Sequence, residues 1–461
     1  MPGVKTAAFV TLGCKINQYE TEAIREEVLD LGYREVSHTE AADVYVVNTC
    51  SVTATSGVKS RRHVLRAARR NPAARIIVVG CSTPSEKAKL ADIPQVAVLA
   101  GNEEKAMVAD FLAGGPRPEE RSAADKRDIF SLKVSRYTHR TRPNVKVQDG
   151  CNNFCSFCII PFLRGRSTSR QPDAVVDEVR RLVDAGNREV VVTGVHLQDY
   201  GTDLDPYMSL AELFSRVAEV EGLDRIRMSS VNPRAFTPEL IEVLTRPPFC
   251  PHWHIPLQAG SDHALGLMRR DYDMDCFRRL VGALHERVER PSIATDVIVG
   301  HPGETEEDFA ATLERCEEFG FSKIHVFPFS SREGTLAAKL GGHLPVDEVR
   351  RRAALLRELD DELANRFRAS FDGETVEVLV EGSKDGLSAS MTGPGGSGEA
   401  GEAGEATPER LAGLTERYVR VEFGAPSPTA GERFPGTLQP VRIERVDTER
   451  AHGRWVGEIV E

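Results

Sequence analysis

The chain has 461 residues, 40% of them hydrophobic and 28% charged, enough for about two to four domains with ordinary cores. Its net charge of −11 argues against a generally basic nucleic-acid binder, although local patches decide such binding. No stretch approaches the ~20 apolar residues of a membrane span, and the start, MPGVKTAAFVTLGC, lacks the basic and apolar segments of a secretory signal, so a cytoplasmic protein with no membrane partner is expected.

Residues 1–117 read as an α/β unit. Short apolar strands at Ala7–Leu12, Val44–Asn48 and Ile76–Gly80 alternate with helices at Glu20–Leu31 and Ser60–Arg69, which predicts a parallel, doubly wound sheet. Ligands of such sheets sit beyond the carboxyl ends of the strands. Cys14, Cys50 and Cys81 each follow an apolar strand at that point, so their thiolates are expected to converge on a metal cluster with one position open. The chain has nine cysteines, an odd number with three tightly clustered, which suits metal binding in a reducing compartment better than a disulfide framework. Two basic stretches, Lys59–Arg75 and Ser131–Lys146, contain no acids. Arg62, Arg66 and Arg69 or Arg70 fall on one helical face. Each patch alone reads as a solvated face; together, before a metal site, they suggest an anionic partner.

Residues 118–136 are polar and charge-rich and read as a linker. Residues 137–370 then offer apolar strands at Val145–Val147, Val190–Thr193, Ile226–Ser229, Trp253–Leu257, Ile293–Val299 and Ile324–Phe327, with helices between them such as Asp173–Ala185, Leu210–Val220, Cys276–His285 and Glu306–Phe319. Right-handed crossovers make this an open, partial (β/α)6 barrel, with chemistry at the carboxyl ends of its strands. A long charged helix, Val346–Ser370, is expected beneath it.

At the end of the first of these strands stands DGCNNFCSFC, with Cys151, Cys155 and Cys158 separated by three and then two residues. A zinc site would want a fourth Cys or His nearby, and none follows at the usual spacing. Three thiolates leave one iron of an iron–sulfur cluster free to bind and activate a ligand.

This stretch, with Phe157 before the last cysteine, resembles the radical S-adenosylmethionine superfamily. TLGCKINQYETE at Thr11–Glu22, together with Cys50 and Cys81, is similar to the amino-terminal domain of the methylthiotransferases within it, and to their threonylcarbamoyladenosine tRNA branch. Ser82-Thr83-Pro84 after Cys81 departs from that family's usual residues. The resemblance implies two [4Fe–4S] clusters, on Cys14, Cys50 and Cys81 and on Cys151, Cys155 and Cys158, with S-adenosylmethionine bound at the second. TGVHLQDYG at Thr193–Gly201 looks like the segment that meets the amino group of that cofactor, which implies Thr193 and Gly194 as contacts. TDVIVGHPGET at Thr295–Thr305 implies Ile298 and Gly300 on the adenine side, with His301 where the family commonly has Phe. HIPLQAGSD at His254–Asp262 and FSSREGT at Phe329–Thr335 match further family blocks, with Arg332 a candidate carboxylate or phosphate partner. The reaction implied is methylthiolation of N6-threonylcarbamoyladenosine at position 37 in the anticodon loop of tRNA, with an electron donor and a sulfur source as further partners. Isopentenyladenosine in tRNA and an aspartate of ribosomal protein S12 are the alternative targets.

After Phe371 short alternating segments predict a small antiparallel β-barrel over 371–446, which looks like the RNA-binding TRAM domain that ends these enzymes. A Gly/Ser/Glu/Ala-rich insertion at 383–408 is expected to be disordered, and 447–461 to be a tail. Cys250, Cys276 and Cys316 lack partners at ligand spacing and are expected to pack in the core.

Overall fold

The computed structural model describes residues 4–120, 128–135, 137, 140–383, 410–426 and 433–457. The insertion expected at 383–408 lies, after Ser383, outside the described residues.

Five strands, β1 (Thr6–Thr11), β2 (Arg34–Glu35), β3 (Val44–Thr49), β4 (Arg75–Gly80) and β5 (Val96–Leu99), pair in parallel in the order β2-β1-β3-β4-β5. Helices α1 (Lys15–Asp30), α2 (Ala54–Arg70) and α3 (Pro84–Ala91) lie between them, and α4 (Val108–Leu112) follows β5. Alternate strand residues serve opposite faces. Ala7, Phe9, Val44 and Val46 pack with α1 and α4, whereas Ala8, Val10, Tyr45 and Val47 pack with α2 and α3. The strand order reverses between β1 and β3, which opens a crevice at their carboxyl ends. α1 begins five residues earlier than its sequence pattern suggests, capped by Cys14, because its first turns bury Asn17, Glu20 and Thr21 along with Ile16 and Tyr19.

The stretch expected to be a linker is packed where it is described. Phe130, Leu132 and Val134 are buried, and Tyr19 Oη donates to Leu132 O at 2.9 Å. β6 (Asn144–Lys146) follows, then β7 (Gln148–Asp149), α5 (Ile160–Arg164) and β8 (Thr168–Ser169). β7 and β8 pair antiparallel and pinch shut the base of the cysteine loop.

The remaining barrel elements are α6 (Pro172–Asp184), β9 (Glu189–Thr193), α7 (Leu210–Ala218), β10 (Arg225–Met228), α8 (Pro238–Leu244), β11 (His252–His254), α9 (Asp262–Leu267), α10 (Met274–Arg287), β12 (Ser292–Val299), α11 (Glu306–Phe319), β13 (Lys323–Pro328) and α12 (Val346–Ala369). Helix faces follow the expected period: α6 buries Val175, Val176, Val179 and Leu182. Ser209 and Thr305 start α7 and α11 with reciprocal capping boxes. Two parallel sheets, β10-β9-β6 and β11-β12-β13, join through the parallel bridge Ile226–Phe249 into a six-stranded partial barrel. Among the described residues β6 and β13 do not pair, and the amino-terminal domain covers this open side. α1 packs on β6, the Ala54 amide donates to Ser330 Oγ at 3.3 Å, and Arg332 reaches Glu86 at 2.9 Å. α12 lies along β13 rather than beneath the barrel; only its last turn, with Phe367 and Arg368, reaches the lower mouth.

Strands β14 (Thr375–Ser383), β15 (Arg410–Thr415), β16 (Arg420–Gly424), β17 (Leu438–Val446) and β18 (Ala451–Trp455) form a closed barrel in the order β14-β15-β16-β18-β17 around Val378, Val380, Val421, Phe423 and Val441. All pairs are antiparallel except β16–β18. β18 falls in the stretch expected to be a tail and closes the barrel, because the four strands left without it would have two unpaired edges.

Two cysteine triplets and the cavity beside them

Cys151 is buried, and Cys155 and Cys158 are half-buried, in the loop pinched by β7 and β8. Burial pushes the Cys151 thiol up to about 11 and the Cys158 thiol up to about 12, and the neighbouring Cys155 raises both. The three cysteines of the loop are thus near enough to act on one another electrostatically. Donors already point at them: the Asn153 amide reaches Cys151 Sγ at 3.4 Å and Arg270 Nη1 reaches Cys155 Sγ at 3.2 Å. Such donors favour thiolate, and bound iron would supply the rest of the compensating charge. A donor set of three sulfurs on one loop fits an iron–sulfur cluster with one iron left open.

Cys50 and Cys81 directly follow β3 and β4, and Cys14 lies three residues past β1 at the start of α1, all at the crevice. Burial raises the Cys50 thiol, and the nearby Cys14 and Cys81 raise it further. Gly13, at φ +98°, is required here, since a Cβ would stand 2.8 Å from Cys50 Cβ. Asn17 holds the first two loops together, its Nδ2 donating to Leu12 O and Thr49 O at 2.8 Å each. The same side chain accepts from Arg164 Nη2 at 2.7 Å. Asn102 Nδ2 lies 3.7 Å from Cys81 Sγ and donates to Leu163 O at 2.7 Å. Both asparagines thus tie the amino-terminal triplet to α5, the helix that follows the second triplet.

Between the triplets lies a buried ionic cluster that the sequence pattern does not single out. Glu20 pairs with Lys105, with Lys146 Nζ at 3.1 Å and with Arg164 Nη1 at 3.2 Å; Asp149 pairs with Arg164 at 2.9 Å and Lys146 at 2.6 Å. Three cations against two carboxylates leave one positive charge in excess, close to Cys14 and Cys81. Burial pushes the Glu20 carboxyl up, but Arg164, Lys105 and Lys146 outweigh it and hold it well below the usual carboxylate range. Glu20→Gln is expected to cost about 3–5 kcal/mol by stranding buried cations, seen as a lower denaturation midpoint. Because the carboxyl is depressed, the wild-type contribution is intact at neutral pH and is lost as pH falls through the folded value.

The other expected contacts gather at the carboxyl ends of the barrel strands, on the side of the cysteine loop. Thr193 ends β9 with Gly194 next to it, Ile298 is near the end of β12, and Gly300 follows it. Phe157 packs edge-on against His301, whose buried Nε2 lies 2.9 Å from Ser156 Oγ. The bare face of Gly194 is filled by protein: a Cβ there would meet Leu197 at 2.7 Å and Gln148 at 3.0 Å. Arg332 is spent on Glu86, joining the barrel to the amino-terminal domain. Cys250 and Cys316 are buried and Cys276 is half-buried.

Below the triplets the barrel lumen holds a cavity of about 410 Å³. Eight Lys or Arg and a single acid, Glu449, line it. Its floor is Tyr418 of the terminal barrel, held at φ +65° in the turn between β15 and β16. Tyr418 stacks on His252 at 4.6 Å, with Arg142 and Arg227 at 5.2 and 5.1 Å from its ring. Burial pushes its phenol up, but Arg142, Lys15 and Arg227 outweigh it and hold it below its ordinary value. His254 faces the same lumen, its Nε2 2.9 Å from Asp296 Oδ1. A second cleft, of about 670 Å³, opens beside Ser51 and Ser82 and is walled by Arg61, Arg62, Arg66 and Arg69. Arg70 instead donates to His38 O.

A partial barrel carrying an open three-cysteine loop at the end of its first strand defines the radical S-adenosylmethionine class. Residues 145–316 match the radical SAM superfamily and residues 6–101 match the uncharacterized protein family UPF0004. The fold is also found in the radical S-adenosylmethionine methyltransferase TsrM from Kitasatospora setae, with a TM-score of 0.51 over 71% of this chain and 75% of that one at 14% identity. The chain is 40% identical to the threonylcarbamoyladenosine tRNA methylthiotransferase MtaB of Bacillus subtilis over 385 residues, 82% of this chain and 85% of that protein. It is 36% identical to the protein of the same name from Chlamydia pneumoniae over 99% of this chain and 98% of that one. It is also 36% identical, over 98% of each, to the tRNA-2-methylthio-N(6)-dimethylallyladenosine synthase of Moorella thermoacetica. The chain belongs to the radical S-adenosylmethionine methylthiotransferase family.

Proposed function

We propose that this enzyme converts N6-threonylcarbamoyladenosine at position 37 of tRNA into its 2-methylthio derivative. The observation that carries the reading is the pair of open cysteine triplets, tied to each other through Asn17, Asn102 and α5. The target C2–H of adenine has neither an acidic proton nor a leaving group, so acid–base catalysis has nothing to act on. With S-adenosylmethionine, the cluster on Cys151, Cys155 and Cys158 would supply the radical chemistry that such a carbon requires, and the cluster on Cys14, Cys50 and Cys81 would carry the sulfur to be inserted. The protein's part is placement. The two loops are fixed relative to one another by hydrogen bonds from both domains, and Thr193, Gly194, Phe157, Ile298 and Gly300 border the cofactor position in this reading.

The exposed arginines of α2 that wall the outer cleft are suited to the RNA backbone, with the anticodon loop delivering one base to the barrel. An external electron donor and a sulfur source complete the reaction. The substrate follows the two relatives named for threonylcarbamoyladenosine. The dimethylallyladenosine relative of similar coverage makes isopentenyladenosine the second reading. Nucleoside mass spectrometry of tRNA from cells lacking the gene separates them. The expected result is loss of 2-methylthio-threonylcarbamoyladenosine with accumulation of its parent. Loss from isopentenyladenosine would select the second reading, and persistence of both, absent a redundant enzyme, would redirect attention to ribosomal protein S12.

A further inference from the structure

Lys15 follows Cys14 directly and reaches the lumen cavity through the side of the barrel left open between β6 and β13. Its position there is unusual for a lysine. The two cations that face it have partners: Arg142 pairs with Glu381, and Arg227 pairs with Glu189 at 2.6 Å and donates to Thr415 O and Glu416 O. Lys15 makes no hydrogen bond or ion pair among the described residues. The groups that face it are Tyr418, Arg142, Arg227 and Asp296, and Asp296 is already engaged by His254. A half-buried ammonium in a cavity with an excess of cationic lining, unpaired by the protein, has room for an anion from outside.

We propose that Lys15, with Arg142 and Tyr418 beside it, forms the subsite that binds the carboxylate of the threonylcarbamoyl group and so selects this nucleoside over one with an uncharged N6 substituent. The inference rests on the proposed substrate. The chemistry of the base matches the layout of the site. N1 of adenine lies between C2 and C6, so the N6 substituent and the C2 to be modified share one edge of the ring. The protein has the same arrangement, because Lys15 and the cluster ligand Cys14 are adjacent residues. A volume of about 410 Å³ is in the range of small-molecule sites. An isopentenyl group would leave the Lys15 ammonium unpaired, which is how a site built for a charged group rejects an analogue that lacks it.

The test uses reconstituted holoenzyme and synthetic anticodon stem–loops carrying threonylcarbamoyladenosine, its carboxylate methyl ester, or isopentenyladenosine. Binding is read by fluorescence anisotropy at fixed salt, and iron content is matched between preparations. Wild type should bind the free acid roughly 10- to 100-fold more tightly than the ester, the range of a charged hydrogen bond. Lys15→Gln should bind acid and ester alike, and Lys15→Arg should recover part of the preference. Equal binding of acid and ester by wild type would overturn the proposal. So would an equal loss for all three RNAs in Lys15→Gln, since that pattern marks a backbone phosphate contact. Product formation by wild type reports on the substrate separately: methylthiolation of the isopentenyl hairpin but not the threonylcarbamoyl hairpin would overturn the underlying reading, whatever the binding ratios.

Discussion

Replacing Cys151, Cys155 and Cys158 together with Ala is expected to reduce 5′-deoxyadenosine formation from S-adenosylmethionine to background in the reduced, reconstituted protein, and to lower bound iron by about half. The effect should be complete because the three sulfurs are the whole donor set that the loop presents, and Arg270 and the Asn153 amide serve those sulfurs without replacing them. The loop base is held by β7, β8 and the Arg164–Asp149 pair, none of which is altered, so the fold should survive the change. Cleavage that persists in the triple variant would show that the loop is structural and would leave an RNA-binding iron–sulfur protein as the better description.

Replacing Cys14, Cys50 and Cys81 with Ala should separate the two halves of the chemistry. Bound iron again falls by about half, cofactor cleavage continues, and methylthiolated nucleoside disappears. Unchanged iron content would sink the assignment of a second cluster. The three loops are carried by neighbouring strands of one sheet and meet only the α5 side of the other triplet, through Asn17 and Asn102. Removing the thiols therefore leaves the Cys151 loop its own supports.

Both triplets could be read from the amino-acid sequence, for different reasons. Cys151, Cys155 and Cys158 are close in the chain, and their spacing alone carries a metal reading. Cys14, Cys50 and Cys81 are far apart, but each follows an apolar strand of a regular α/β alternation, and that topology puts such positions on one sheet edge. Lys15, Glu20, Asn17 and Arg164 could not be ranked in the same way. A charged residue in a helix pattern looks like a solvated one until the surface it meets is known, and that surface comes from another domain more than a hundred residues away. The same difficulty hid the start of α1, where Asn17, Glu20 and Thr21 are buried between Ile16 and Tyr19 and interrupt the apolar period. Arg69 and Arg70 were indistinguishable by helical period, and only the position of His38 O separates them. The last strand was hidden because AHGRW shows no clean alternation, with Gly453 in the middle of it.

Arg227 sits in the middle of β10, yet its guanidinium donates to Thr415 O and Glu416 O, which lie 188 and 189 residues further along the chain. A ribosome adding about 5–20 residues per second takes roughly 10–40 s to deliver them. During that interval the newly made barrel holds a desolvated arginine beside Glu189 with its remaining donors unsatisfied, and the lumen lacks its floor. The chamber is thus floored by the terminal barrel, well after the strands that wall it. A nascent chain that has only the six parallel strands of the barrel, β6 and β9 to β13, does not yet have the residues that floor its lumen, so the terminal barrel is as much a wall of the chamber as those strands are.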